Sequence, residues 1–339
     1  MLDLTLIPPD GVWVPSPTFF LPSPTEGTYP DPTQPARIQR AVDVETQVAH
    51  SIFLARSGVT GIVLLGSTGE AIHLTRSERS ALVSAVRRGL QDAGFPDYPL
   101  MAGVLTNGLE EALEWLDDYA RAGVQWGLVL APGYFGASVG QEGLVKWYTA
   151  VADRSPLPIL VYNYPGVTNG VTVLPETYRV LADHPKIVGC KMSHGNVSHH
   201  IQVALDPAIH HDKFRVFSGL SSQLGPVVLF GAAGVIDGLP AIFPKTVVRL
   251  MQLAEKANTK GLKDEERTEL QRLQYAVSLA EEFVMRYGII GIKEAVFRVV
   301  GFGNLEGGRL PIPGELPEGA WDKVKMLFLQ AIELTEASL

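Results

Sequence analysis

Seven short, nearly uninterrupted apolar runs, separated by longer amphipathic stretches, constrain this chain more than any other feature. They are Gly61–Gly66 (GIVLLG), Leu100–Val104 (LMAGV), Trp126–Ala131 (WGLVLA), Leu157–Tyr162 (LPILVY), Ile187–Lys191 (IVGCK), Phe214–Ser218 (FRVFS) and Ala233–Asp237 (AGVID). Hydrophobicity without alternation is what parallel strands covered on both faces require. The stretches between them read as helices. Thr75-Arg76-Ser77-Glu78 is a capping box, in which Thr75 accepts from the Glu78 amide while Glu78 reaches back. Pro175 and Glu176 fit a first helical turn, where a missing N–H leaves nothing unsatisfied.

Before the first run, Pro8, Pro9, Pro15, Pro17, Pro22, Pro24, Pro30, Pro32 and Pro35 exclude a long helix or a central strand throughout. The segment is expected to be an extended arm with one short strand near Val12–Phe19. That strand brings the β/α count to eight, which predicts a TIM (β/α)8 barrel; an open doubly wound sheet is the structural rival. Past Ala257 the strand signals stop, and Asp264–Tyr287, Gly291–Val300 and Ala320–Leu334 read as helices. The expected division is therefore a Pro-rich arm plus barrel over 1–257 and a C-terminal helical region over 258–339, packed on the barrel.

Composition narrows the function classes. The net charge of -8, with no run of Lys or Arg, makes nucleic acid and anionic membrane poor partners. No apolar stretch reaches the ~18 residues of a membrane span. The first basic residue is Arg37, so no signal or transit peptide is read at the amino terminus, and the single cysteine, Cys190, suits a reducing compartment. A cytoplasmic enzyme is the expectation.

In such barrels, chemistry sits at the carboxyl ends of the strands. Lys191 ends one apolar run. Strict alternation would turn Lys191 and Gly189 inward while Val188 and Cys190 face the helices. A lysine in that position either leaves the strand for solvent or loses its proton to burial and becomes a nucleophile for carbonyl carbon. Tyr162 ends the preceding run, just before Asn163-Tyr164-Pro165-Gly166, and a phenol there can relay protons. Gly66-Ser67-Thr68-Gly69-Glu70 offers amides and hydroxyls to a carboxylate. It lacks the spacing of a dinucleotide or triphosphate loop.

Taken together, these residues resemble the dihydrodipicolinate synthase / N-acetylneuraminate lyase family of Schiff-base pyruvate aldolases. The resemblance spans roughly residues 30 to 300 and rests on Gly66–Glu70, on Tyr162-Asn163-Tyr164-Pro165, and on Gly189-Cys190-Lys191 followed by Gly195-Asn196. It implies a barrel assembled as a homo-oligomer, usually a tetramer of two dimers. It implies that Lys191 forms the imine, Tyr162 relays protons, and Ser67 and Thr68 hold the pyruvate carboxylate. Tyr134 is similar to a tyrosine that a neighbouring subunit contributes to the relay, and Ile236 falls where a main-chain group lies beside bound pyruvate.

The departures set the expected substrate. Val167 stands where lysine-pathway synthases carry a carboxylate-gripping arginine, and an apolar side chain cannot make that contact. Phe217–Ser222 and Arg286–Ile289 look more like the 4-hydroxy-2-oxoglutarate and 2-keto-3-deoxy-sugar-acid aldolases, with Gly219, Ser221, Ser222 and the residues after Gly195 as candidate substrate contacts. The expected activity is cleavage of such a 2-oxo acid to pyruvate and an aldehyde. The imine serves as electron sink, so neither metal nor cofactor is required. Condensation with aspartate semialdehyde, as in dihydrodipicolinate synthase, and a non-catalytic pyruvate-binding barrel are the alternatives.

Two further patterns invite other chemistry. Gly136-Ala137-Ser138-Val139-Gly140 has the spacing of a hydrolase nucleophile elbow, but Pro132 and Gly133 interrupt the strand that such an elbow needs. His194, His199, His200, His210 and His211 cluster in sequence without a zinc-ligand spacing. Neither is expected to carry the function.

Overall fold

The structure, a computed structural model, describes residues 6–23, 39–312 and 314–339. Eight parallel strands close into a barrel, each paired with the next and β8 with β1. They are β1 (Gly11–Pro15), β2 (Gly61–Leu64), β3 (Leu100–Val104), β4 (Trp126–Leu130), β5 (Ile159–Asn163), β6 (Ile187–Met192), β7 (Arg215–Ser218) and β8 (Gly234–Ile236). Closure excludes the open sheet. Every run read as a strand is one, with ends shifted by a residue or two. The first strand is shorter than expected, because the chain turns away after Pro15; Phe20 then makes an isolated antiparallel bridge to Val42. The rest of the Pro-rich arm, residues 24–38, lies outside the described residues.

Helices α1 (Val44–Arg56), α2 (Arg76–Asp92), α3 (Leu109–Arg121), α4 (Gln141–Arg154), α5 (Pro175–Leu181), α6 (Val197–Ala204), α7 (Leu224–Leu229) and α8 (Pro244–Thr259) follow the strands in turn. The capping box opens α2 as read, with both of its hydrogen bonds formed. Pro175 opens α5. Beyond the barrel, α9 (Asp264–Ala295), α10 (Ala320–Val324) and α11 (Gln330–Ser338) pack back on it, α9 against α7 and α8. The two helices read on either side of residue 290 are present and meet within α9 at a sharp kink at Gly288, whose φ of 54° and ψ of -137° only glycine adopts readily. Among the described residues, no helix is long and apolar enough to cross a membrane.

The barrel interior is a packed core with one closed end. Trp13, Val63, Met101, Trp126, Leu128, Leu160, Val188, Phe217 and Ile236 fill it. Trp13 meets Trp126 edge to face at 5.6 Å. The two indole N–H groups donate to Pro9 O at 3.1 Å and Leu6 O at 2.9 Å, so the arm plugs the amino-terminal mouth and satisfies both donors. Only the carboxyl-terminal mouth remains for a ligand.

One strand breaks the alternation rule. Pairing between β5 and β6 slips between Ile159 and Leu160: Ile159 lies opposite Ile187, and Leu160 opposite Gly189. Val188 is the extra residue of a bulge, and it packs in the barrel interior rather than against the helices. The expectation for Val188 is therefore corrected. Cys190 does face the helices, in the outer core, and the bulge leaves Lys191 pointing inward.

The strand that braces the Ser67 loop has no room for a side chain. A Cβ on Gly103 would sit 2.3 Å from Leu65 O and 2.8 Å from the Gly66 Cα. Both are backbone atoms and cannot rotate away. Gly103→Ala is expected to destabilise the protein by about 1–3 kcal/mol, the usual range for overpacking. A chemical-denaturation midpoint indistinguishable from wild type would contradict this account of the loop's support.

Candidate active site

Adjacent strands bring the two expected groups together. Tyr162 and Lys191 are paired across β5 and β6. The Lys191 Nζ lies 4.5 Å from the centre of the Tyr162 ring, and both side chains are almost wholly buried. Burial brings the ammonium of Lys191 down to about 8, against the opposing charge of Asp237. Desolvation therefore outweighs the one carboxylate in reach, and about a tenth of the amine is neutral at pH 7. Tyr162 is pushed up to about 12 by burial, with opposing hydrogen bonds from Ser67 and Ser193. At neutral pH it is a phenol, able to pass a proton on but not to stand as a phenolate. Tyr164 stacks on it at 6.0 Å.

The Ser67–Thr68 turn lies across the mouth from Lys191. Ser67 Oγ is 3.4 Å from Tyr162 Oη, and both Ser67 and Thr68 line the same cleft. This turn is strained. Leu65 (φ 58°) and Glu70 (φ 51°) adopt left-handed backbone without being glycine, which costs about 1–3 kcal/mol each. It is held from outside. Thr18 donates to Gly69 O at 2.6 Å, while the buried Glu70 carboxylate accepts from Lys293 Nζ at 2.5 Å and from the Arg309 N–H at 2.9 Å.

The cleft measures about 730 Å³. Its floor is Lys191, Tyr162 and the serine turn. Its roof is the bent part of α9, through Glu281, Val284, Met285, Gly288, Ile289 and Ile292. Val167, Ser193, His194, Asn196, His199, Gly219 and Asp237 complete the walls.

Not every expected residue reaches this cleft. Ile236 is buried in the barrel interior. Ser221 is fully buried, and its backbone N–H serves the side chains of Asp237 and Glu281. Tyr134 is 74% exposed and lines a separate cavity of about 430 Å³ on the other side of Ser67, together with Leu105, Asn107 and Ile312. Ser138 is exposed in a short turn beyond the end of β4, with no strand running into it. His200 is buried, with ring nitrogens against Asn196 O and Met192 O. Cys190 is sealed in the core, where burial pushes its thiol up and away from reactivity.

The Dihydrodipicolinate synthetase family profile matches residues 27–324. The chain belongs to this family. It is similar to the "Probable 4-hydroxy-2-oxoglutarate aldolase, mitochondrial" of Emericella nidulans, 32% identical over 98% of each chain. It is also similar to the L-threo-3-deoxy-hexylosonate aldolase of Hypocrea jecorina, 30% identical over 87% of this chain and 88% of that one. Among solved structures, the chloride-inhibited dihydrodipicolinate synthase of Acinetobacter baumannii, complexed with pyruvate, superposes with a TM-score of 0.79. That pair is 25% identical over 97% of this chain and 99% of the other.

Within this family frame, the residues that sequence reading missed are Asp237, Glu281, Ser193 and Lys293. Asp237 was visible as the last residue of an apolar run, the same signal that marked Lys191. Glu281 and Lys293 sit on a helix beyond the barrel, and no local pattern ties them to the mouth.

Two tests follow from this geometry. Lys293→Met would leave the Glu70 carboxylate buried without its cation and is expected to destabilise the protein by about 3–5 kcal/mol. A denaturation midpoint within error of wild type would refute the clamp. For Lys191, the Asp237 charge favours the ammonium, so Asp237→Asn lowers the pKa of the amine. The rising limb of Lys191 carbamylation by cyanate, followed by mass spectrometry against pH, is expected near 8 in wild type and at lower pH in the variant. A limb that stays put or moves to higher pH would contradict the assignment.

Proposed function

We propose that this protein is a Schiff-base aldolase that cleaves a 2-keto-3-deoxy sugar acid or a 4-hydroxy-2-oxo acid to pyruvate and an aldehyde. The observation that carries the reading is the buried Lys191 amine, held against the Tyr162 ring at the floor of the cleft. Its neutral form adds to the C2 carbonyl carbon of the substrate, and the carbinolamine takes up one proton from solvent and loses water to leave a protonated imine. The substrate carboxylate is taken by the amides and hydroxyls of Ser67 and Thr68.

Tyr162 then accepts the C4 hydroxyl proton while passing its own toward Ser67. The C3–C4 bond breaks, its electron pair moves into the imine as an enamine, and the aldehyde leaves. The relayed proton returns to C3, and hydrolysis releases pyruvate and Lys191. The imine is the electron sink, so the bond cleavage calls for neither metal nor cofactor.

The relatives support this class. Two of them are named for aldolases of these substrate types, and a structural neighbour is described as complexed with pyruvate. The dihydrodipicolinate synthase reading is the weaker one, because Val167 stands in the cleft wall and, among the described residues, no arginine lines it. A bare binding barrel would have no use for a lysine kept partly neutral beside a phenol.

We further propose a homo-oligomer. Tyr134, Phe135 and Ile72 are exposed apolar side chains beside the second cavity, and a partner copy would cover them. The lone buried thiol of Cys190 favours a reducing compartment, the cytosol; the relative named mitochondrial makes that organelle the competing location.

Incubation with pyruvate and borohydride is expected to reduce an adduct onto Lys191, and Lys191→Ala to abolish it. Tyr162→Phe is expected to lower the cleavage kcat by roughly 10²–10⁴ while an adduct still forms. A wild-type protein without a trapped adduct on Lys191 overturns the reading.

A further inference from the structure

The cleft wall formed by β8 and α9 is acidic. Asp237 follows β8 and Glu281 comes from α9, and neither is more than 3% exposed. The single N–H of Ser221 donates to Asp237 Oδ2 at 3.2 Å and to Glu281 Oε2 at 3.0 Å, so two carboxyl groups converge on one donor. The Leu239 N–H adds a contact to Asp237 Oδ2 at 3.3 Å. Burial first, then the Asp237 charge and its hydrogen bond, push the Glu281 carboxyl well above the usual carboxylate range. Glu281 Oε1 is buried without a partner among the described residues, although Glu281 lines the cleft.

The remaining wall is neutral. Lys191 is the sole lysine or arginine among the described residues lining the cleft, and the imine commits it to the keto carbon. Asn196, Thr172 and Ser193 are uncharged. His194 is brought down to about 4 by burial and by its neighbours His200 and His199, so it is neutral near pH 7. His194 Nε2 and His199 Nδ1 have no partner among the described residues.

A second carboxylate at the far end of a substrate would find no cation here and would face the charge of the acid pair. Hydroxyl groups, which both donate and accept, would meet the Glu281 Oε1 acceptor and the His194 Nε2–H donor, since His194 Nδ1 already accepts from the Asn196 N–H. A buried polar atom left unpaired costs about 1–3 kcal/mol, so a substrate that supplies the missing partners is favoured over one that does not. We propose that the Asp237–Glu281 pair selects substrates with one carboxylate and a neutral polyhydroxyl tail, the 2-keto-3-deoxy aldonic acids, over dicarboxylic 4-hydroxy-2-oxo acids. The inference rests on the imine reading above and divides the substrate classes that reading leaves together.

The test measures pyruvate release from 2-keto-3-deoxy hexonates and pentonates and from 4-hydroxy-2-oxoglutarate. Rates are taken per Lys191 trapped by pyruvate and borohydride. For wild type, kcat/KM on the best neutral-tailed acid is expected to exceed that on the dicarboxylate by roughly a hundredfold. Asp237→Asn removes the charge and is expected to narrow that ratio by about tenfold, one lost charge contact. A ratio cancels any change in Lys191 itself. Glu281→Leu removes the free acceptor and is expected to raise KM for the sugar acids more than it lowers kcat.

Wild-type protein that traps pyruvate yet cleaves the dicarboxylate as well or better, or cleaves no neutral-tailed acid, overturns this inference alone. So does an Asp237→Asn ratio equal to that of wild type. Failure to trap pyruvate overturns the imine reading and this inference together. The wild-type panel does not depend on any variant folding.

Discussion

The rest of the site depends on keeping one amine out of water. An ammonium at the end of an apolar strand is expensive to bury, and the Lys191 environment leaves that penalty mostly uncompensated. The Tyr162 ring offers its face at 4.5 Å, and Asp237 opposes the shift without reversing it. A full ion pair would have fixed the amine as a cation, useless as a nucleophile. Solvent would have done the same. The intermediate arrangement, buried yet near a single shared charge, leaves both protonation states within reach near neutral pH.

That arrangement needs a rigid frame, and the frame comes from outside the barrel. The Ser67–Thr68 turn carries two non-glycine residues in left-handed backbone, a conformation that persists only where the surroundings over-determine it. The buried Glu70–Lys293 pair ties the turn to α9, and the Arg309 N–H adds a third anchor. The same helix bends at Gly288 to roof the cleft. The C-terminal region is therefore part of the site in physical terms, since it fixes the Ser67–Thr68 turn and supplies Glu281.

Much of this was legible from residue patterns. Continuous apolar runs identified seven of the eight strands, because burial on both faces leaves no room for alternation. Lys191 and Tyr162 stood out as polar groups ending such runs. The reading failed where it leaned on strict alternation: the bulge in β6 turned Val188 inward and still left Lys191 facing the cleft. Ser221, drawn in by the likeness of Phe217–Ser222 to sugar-acid aldolases, is buried behind the cleft wall.

The sequence alone determined the kinds and order of elements, the family, and the lysine–tyrosine pair. Those are encoded by periodicity and by chemistry within a few neighbouring residues. The tertiary structure decided the Asp237–Glu281 pair and the Glu70–Lys293 clamp. Each of these joins groups distant in the chain. Barrel closure and the path of α9 set such distances, and no local run of residues records them.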